Sequence, residues 1–73
     1  MLVSGTVIDP LYWDDAYPIA LALKIAHPGV DPMDVELSVL HEWVVALRDF
    51  ADEPQVMRIE WLDQIQAEWI ELM

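Results

Sequence analysis

The chain reads as an all-α protein, a compact domain of three to four helices, and three features of the sequence say so. Apolar residues recur at three- and four-residue spacing through its middle and last thirds. Proline marks each expected corner, in Pro28-Gly29, Asp31-Pro32 and Glu53-Pro54. Only residues 1–10, a mixture with Val, Ser, Gly and Thr, lack a helical period; they read as a loosely held arm or a short extended segment.

The elements follow in order. A first helix is expected from Asp14, whose carboxylate would cap free amides, to His27, where Pro28 and Gly29 stop it. Pro18 falls just past the position where proline is welcome, so the opening turn should be irregular. Asp31 before Pro32 is a cap and first-turn pair; it predicts one helical turn over residues 32–36, with Val35 and Leu37 facing inward. Ser38 is the expected cap of the next helix, the central one, in which Leu40, Trp43, Val44 and Leu47 share a face that Phe50 completes. Asp52 and Glu53 before Pro54 are expected to open the last helix. There Ile59, Leu62, Ile65, Trp69 and Leu72 form a second apolar stripe, opposite Glu60, Asp63, Glu68 and Glu71.

Size and charge narrow the function. Seventy-three residues make one domain near the lower limit for a core without staples, and with no Cys a disulfide is impossible. A hydrophobic content of 56% with four Trp meets that demand. Fourteen Asp and Glu against three Lys and Arg give a formal charge of −11, which repels phosphate backbones and attracts basic protein patches and divalent cations. A mean hydropathy of +0.30 argues against disorder. The longest apolar stretch, residues 18–26, is interrupted by Lys24 and is too short to span a bilayer, so a cytoplasmic protein without membrane contact is expected.

Catalysis finds little support. His27 and His41 lack the Glu-x-x-His pattern that sets a carboxylate beside the ring, and read better as a helix-end and a first-turn histidine. The hydroxyls of Ser4, Thr6, Tyr12, Tyr17 and Ser38 form no nucleophile constellation. Paired carboxylates acting as acid and base need a cleft that a small bundle has little room for, and a metal-dependent enzyme lacks His and Cys ligands. Asp49, Asp52 and Glu53, at three- and four-residue spacing, suit a hard or borderline divalent ion such as iron(II), and Asp31 with Asp34 is a second such pair. A site of this kind would be open and weak, and solvated capping acids are the plainer reading. Of the four Trp, at positions 13, 43, 61 and 69, most are needed for the core, and Trp61 lies off the main stripe.

From Trp13 onward the chain resembles the IscX family, also called YfhJ, of small acidic proteins linked to bacterial iron–sulphur cluster assembly. The residues that carry the resemblance are Trp13, Ile19, Leu23, Asp31-Pro32 with Val35, then Leu40, Trp43, Val44, Leu47, Phe50, Asp52-Glu53-Pro54, and finally Leu62, Ile65 and Trp69. It divides the chain into an N-terminal arm, residues 1–12, and a helical domain, residues 13–73. It implies a modified winged-helix-like fold and a non-enzymatic adaptor that docks its acidic face on a basic patch of the cysteine desulfurase IscS. The resemblance further implies competition with the bacterial frataxin and weak binding of iron(II), with no tightly bound cofactor. Two departures stand out. Ala51 replaces an acid usual beside Asp52 and Glu53, and Arg58-Ile59 replaces an Asn-Glu pair early in the last helix.

The expected partner surface is Asp31, Asp34, Glu42, Asp49, Asp52 and Glu53, with Asp49, Asp52 and Glu53 as metal ligands, no catalytic residue and a monomeric chain. From charge alone a different class remains open, an acidic nucleic-acid mimic that blocks a DNA- or RNA-binding protein. Competition by duplex DNA separates the two.

Overall fold

Pro18 decides how the first helix begins. In the structure, a computed structural model describing residues 10–73, α1 spans Ala16–Ala26. Pro18 is therefore its third residue, where an amide has no intrahelical acceptor and a missing N–H costs nothing. The expected cap at Asp14 is replaced by a turn closed on itself: Asp15 N–H donates to the Tyr12 carbonyl at 2.9 Å, and the Asp15 carboxylate accepts from Tyr12 N–H at 3.0 Å. That carboxylate reaches back along the chain and does not cap the helix. At the other end His27 N–H donates to the Leu23 carbonyl, and Pro28 stops the helix as expected.

Asp31 behaves as read. Its carboxylate accepts from Met33 N–H at 3.0 Å and opens a 3-10 turn over Pro32–Asp34, shorter than the expected residues 32–36. Helix α2 spans Leu37–Val45 with Glu36 at its cap position, so Ser38 lies exposed inside the first turn and caps nothing. Leu40 and Val44 are fully buried and Trp43 half-buried, but the helix stops at Val45; Leu47 and Phe50 reach the core from the turns that follow.

The last helix departs most from expectation. Helix α3 spans Ile59–Glu71 and does not start at Pro54. The acids before Pro54 are committed elsewhere, as described below, and residues 56–58 run without helical structure to an uncapped start at Arg58. Leu62, Ile65 and Trp69 are fully buried as the stripe requires, Leu72 is half-buried, and Ile59 is 57% exposed, so the stripe begins one turn later than its sequence suggests.

These elements assemble around α1 and α3, whose mutual contact is the most extensive in the fold; α2 touches both less, and is not the central helix. Trp13, just before α1, stacks on Trp61 in the first turn of α3, and Lys24 Nζ, late in α1, donates to the Leu72 carbonyl just after α3. The two helices thus lie side by side in the same sense. Gln66 Nε2 of α3 donates to the carbonyls of Pro32 and Val35 at 2.7 and 3.2 Å, fastening the 3-10 turn to the pair. Ile19, Ala20 and Leu23 from α1 close the core with Leu40, Val44, Leu62, Ile65 and Trp69. Each buried Leu or Ile contributes about 1.5–3 kcal/mol.

Leu11, which sequence reading placed in the arm, is 8% exposed and belongs to this core. It forms an isolated parallel bridge with Phe50, its N–H donating to the Asp49 carbonyl and its carbonyl accepting from Ala51 N–H, both at 2.9 Å. Residues 1–9 of the arm lie outside the described residues. Among the described residues the secondary structure is helical, and no helix is long and apolar enough to cross a membrane.

Candidate functional site

The corner between α2 and α3 is where the chain's acids meet its aromatic core. Trp13 is its hub, 2% exposed. Its indole lies nearly parallel to the His41 ring at 5.2 Å and to Trp61 at 6.4 Å, and meets Phe50 edge-on at 4.9 Å. Burying an indole requires a partner for its N–H, and the Glu53 carbonyl accepts it at 2.8 Å. The backbone N–H of Trp13 donates to the Asp52 carboxylate at 3.0 Å.

Asp52 therefore does structural duty. One carboxylate oxygen accepts from Trp13 N–H and the other from Glu53 N–H at 2.7 Å. These two bonds favour the ionised form and hold its carboxyl below the ordinary value of 3.8, against a small opposing effect of desolvation. Glu53 gives its carbonyl to Trp13 and keeps its side chain in solvent. Asp49 likewise gives its carbonyl to Leu11 and is half-buried. His41 Nε2 lies 3.0 Å from the Val56 carbonyl, so this ring helps fix the path from the corner into α3.

The expected partner residues divide by exposure. Asp31, Asp34, Glu42 and Glu53 are exposed, whereas Asp49 and Asp52 are half-buried. The Asp31 carboxylate also serves the 3-10 turn. Among the described residues no three His, Cys, Asp or Glu side chains gather where they could hold a metal ion, and Asp49, Asp52 and Glu53 form no such group. Each Asp52 carboxylate oxygen already accepts one backbone amide, which leaves part of its lone-pair capacity for other donors.

Arg58 is a cation whose position the sequence flagged without giving its contact. Its guanidinium stands 4.9 Å from the centre of the Trp61 ring, an arrangement in which cation and aromatic face attract. Trp61 is half-buried beneath it, less free than its place off the stripe suggested. No spacing rule announces Trp13 as the hub, because its partners lie some forty positions away. The sequence signal for it is a large indole placed just before the first helix. His27, at the far end of α1, stacks on Trp43 at 3.9 Å and thus has a packing role.

Comparison with known proteins agrees with this frame. The family model described as iron-sulphur cluster assembly matches residues 11–73, a range that begins at the core residue Leu11. An uncharacterized protein of Pseudomonas aeruginosa is 44% identical over 61 residues, covering 84% of this chain and 92% of that protein.

Proposed function

Since this chain belongs to the iron–sulphur cluster assembly family, also called IscX or YfhJ, we propose that it is a non-enzymatic adaptor of that machinery, docking its acidic surface on a basic patch of the cysteine desulfurase IscS. Membership carries a role in iron–sulphur cluster assembly, and the family is a non-catalytic accessory one. The observation that supports the finer reading is the outward display of Asp31, Asp34, Glu42 and Glu53 on a chain of formal charge −11. Such a surface speeds encounter with a basic partner and loses its advantage as salt screens it.

Asp49 and Asp52 enter this surface from the corner, partly covered. Iron(II) enters the reading as a weakly held, largely hydrated ion at Asp49, Asp52 and Glu53, attracted by the same field. Competition with the bacterial frataxin for the desulfurase follows if both use the same basic patch, as the family resemblance implies.

The experiment is titration into the cognate desulfurase at low and moderate salt, following complex formation and sulfide release with and without iron(II). Saturable binding that weakens with salt is expected, and absence of binding at low salt overturns the reading. Glu53→Lys and Glu42→Lys are the informative reversals, because these side chains are exposed and hold no backbone amide; each should weaken binding severalfold with helicity unchanged. Asp52→Lys is less clean, since it also releases Trp13. Displacement of the partner by duplex DNA would favour the nucleic-acid mimic.

A further inference from the structure

Helix α1 departs from the rest of the surface. Ala16–Ala26 contains no carboxylate, while α2 carries Glu42 and α3 carries several acids. Its inward side spends Ile19, Ala20 and Leu23 on the core, yet its outward side is apolar as well. Tyr17, Leu21 and Ile25 recur every four residues along one stripe and are 52%, 39% and 73% exposed. Apolar side chains aligned in this way on a monomer's surface mark a contact face. Beside the stripe lies a groove of about 300 Å³ lined by Leu11, Ala22, Ile25, Ala26 and Leu47, with Arg48 and Asp49 also in its wall.

We propose that this face is a self-docking surface, on which a second copy of the chain packs through α1 about a two-fold axis. A two-fold contact uses the same patch on both copies, so the patch must complement itself. This one does so twice over. It offers a protruding apolar side chain, Ile25, next to a groove that can receive its equivalent, and it carries both a cation and an anion, Arg48 and Asp49, that can pair reciprocally across the axis.

Charge argues for the same face and against the others. With a formal charge of −11, two copies repel through any acidic surface, and α1 is where they approach with least opposing charge, with Lys24 on the helix and Arg48 beside it. The repulsion that remains between two chains of formal charge −11 makes the pair weak, with an expected dissociation constant on the order of 100 μM. The contact leaves out the exposed acids Asp31, Asp34, Glu42 and Glu53 and shares only the half-buried Asp49 with the proposed desulfurase-docking surface.

The test is sedimentation of the full chain from about 10 μM to about 1 mM at low and moderate salt, concentrations that bracket the expected constant. The weight-average mass should rise from 8.4 kDa toward twice that value with concentration, and more readily at moderate salt, where repulsion between copies is screened. Ile25→Glu, at a position too exposed to disturb the core, should abolish the rise. Arg48→Asp should weaken association about tenfold, and Arg48→Asp with Asp49→Arg should restore it, because exchanging the two charges preserves reciprocal pairing. A mass that stays at 8.4 kDa up to about 1 mM overturns the proposal, and so does association indifferent to Ile25→Glu.

Discussion

Two tryptophans sit at opposite ends of the α1–α3 pair, and both are almost wholly enclosed, Trp13 at 2% exposure and Trp69 at 0%. They are held in different ways. Trp13 has its indole N–H on the Glu53 carbonyl and its backbone N–H on the Asp52 carboxylate, so direction as well as shape fixes it. Trp69 Nε1 is buried without a hydrogen-bond partner among the described residues, and its ring rests on Trp43 at 6.4 Å, tilted by 58°. The first end tells the chain where to go, and the second only fills space. A buried unpaired donor costs about 1–3 kcal/mol, while a satisfied one contributes about 0.5–1.5 kcal/mol, so replacements should expose the contrast.

The largest effect is expected from truncating either ring. Trp13→Ala and Trp69→Ala should each cost about 3–5 kcal/mol, much of the stability of so small a domain, visible as loss of the cooperative urea transition. Replacement by Phe sharpens the comparison. Trp13→Phe strands the Glu53 carbonyl and loses a hydrogen bond, whereas Trp69→Phe removes an unsatisfied donor that offsets part of its cavity cost. The first should destabilise by about 1–2 kcal/mol more than the second in denaturant titrations, and equal losses would erase the distinction.

The bonded end should respond to acid through Asp52. Its carboxyl is held below 3.8 in the folded state, so the stability it adds is present above that ordinary value and is lost as the pH falls through the lower folded-state value. In Asp52→Asn that portion of the acid sensitivity, below about pH 4, should flatten, and thermal melts across the acid range would read it. The smallest effect belongs to neither end. Gly29 has no positive φ and, among the described residues, nothing within 4 Å of where a Cβ would stand, so Gly29→Ala should stabilise by about 0.4–1 kcal/mol through the unfolded chain.

The comparison also marks how far sequence reading reaches. Leu40, Val44, Leu62, Ile65 and Trp69 could be placed in the core because helical period is a local property, and Asp31-Pro32 because a cap and its amide are two residues apart. The expected caps at Asp14 and Ser38 differ from the structure because the helices begin at Ala16 and Leu37, with Asp15 and Glu36 at the cap positions; Asp52 does not open the last helix because a side chain able to cap is equally able to bond elsewhere. Asp52 has Trp13, thirty-nine residues away, and Asp15 turns back to Tyr12. The last helix starts at Ile59 because that competition draws residues 52 and 53 into the corner. For the candidate surface, composition discloses the charge, and the family resemblance is what the proposed partner rests on. The division of its acids into exposed and structural members needed the fold, since it depends on which amides come within reach.

The pairing of α1 with α3 sets the order of events during synthesis. The first long helix has its most extensive contact with the last one, and Trp13 waits for Asp52, Glu53 and Trp61. Until α3 has left the ribosome, α1 has an apolar face and nothing to close it. The domain should therefore fold only after release of α3 and in one step, with contacts distant in sequence limiting the rate more than helix formation does. A nascent chain stalled before Trp61 would be a better substrate for chaperones than for its own fold.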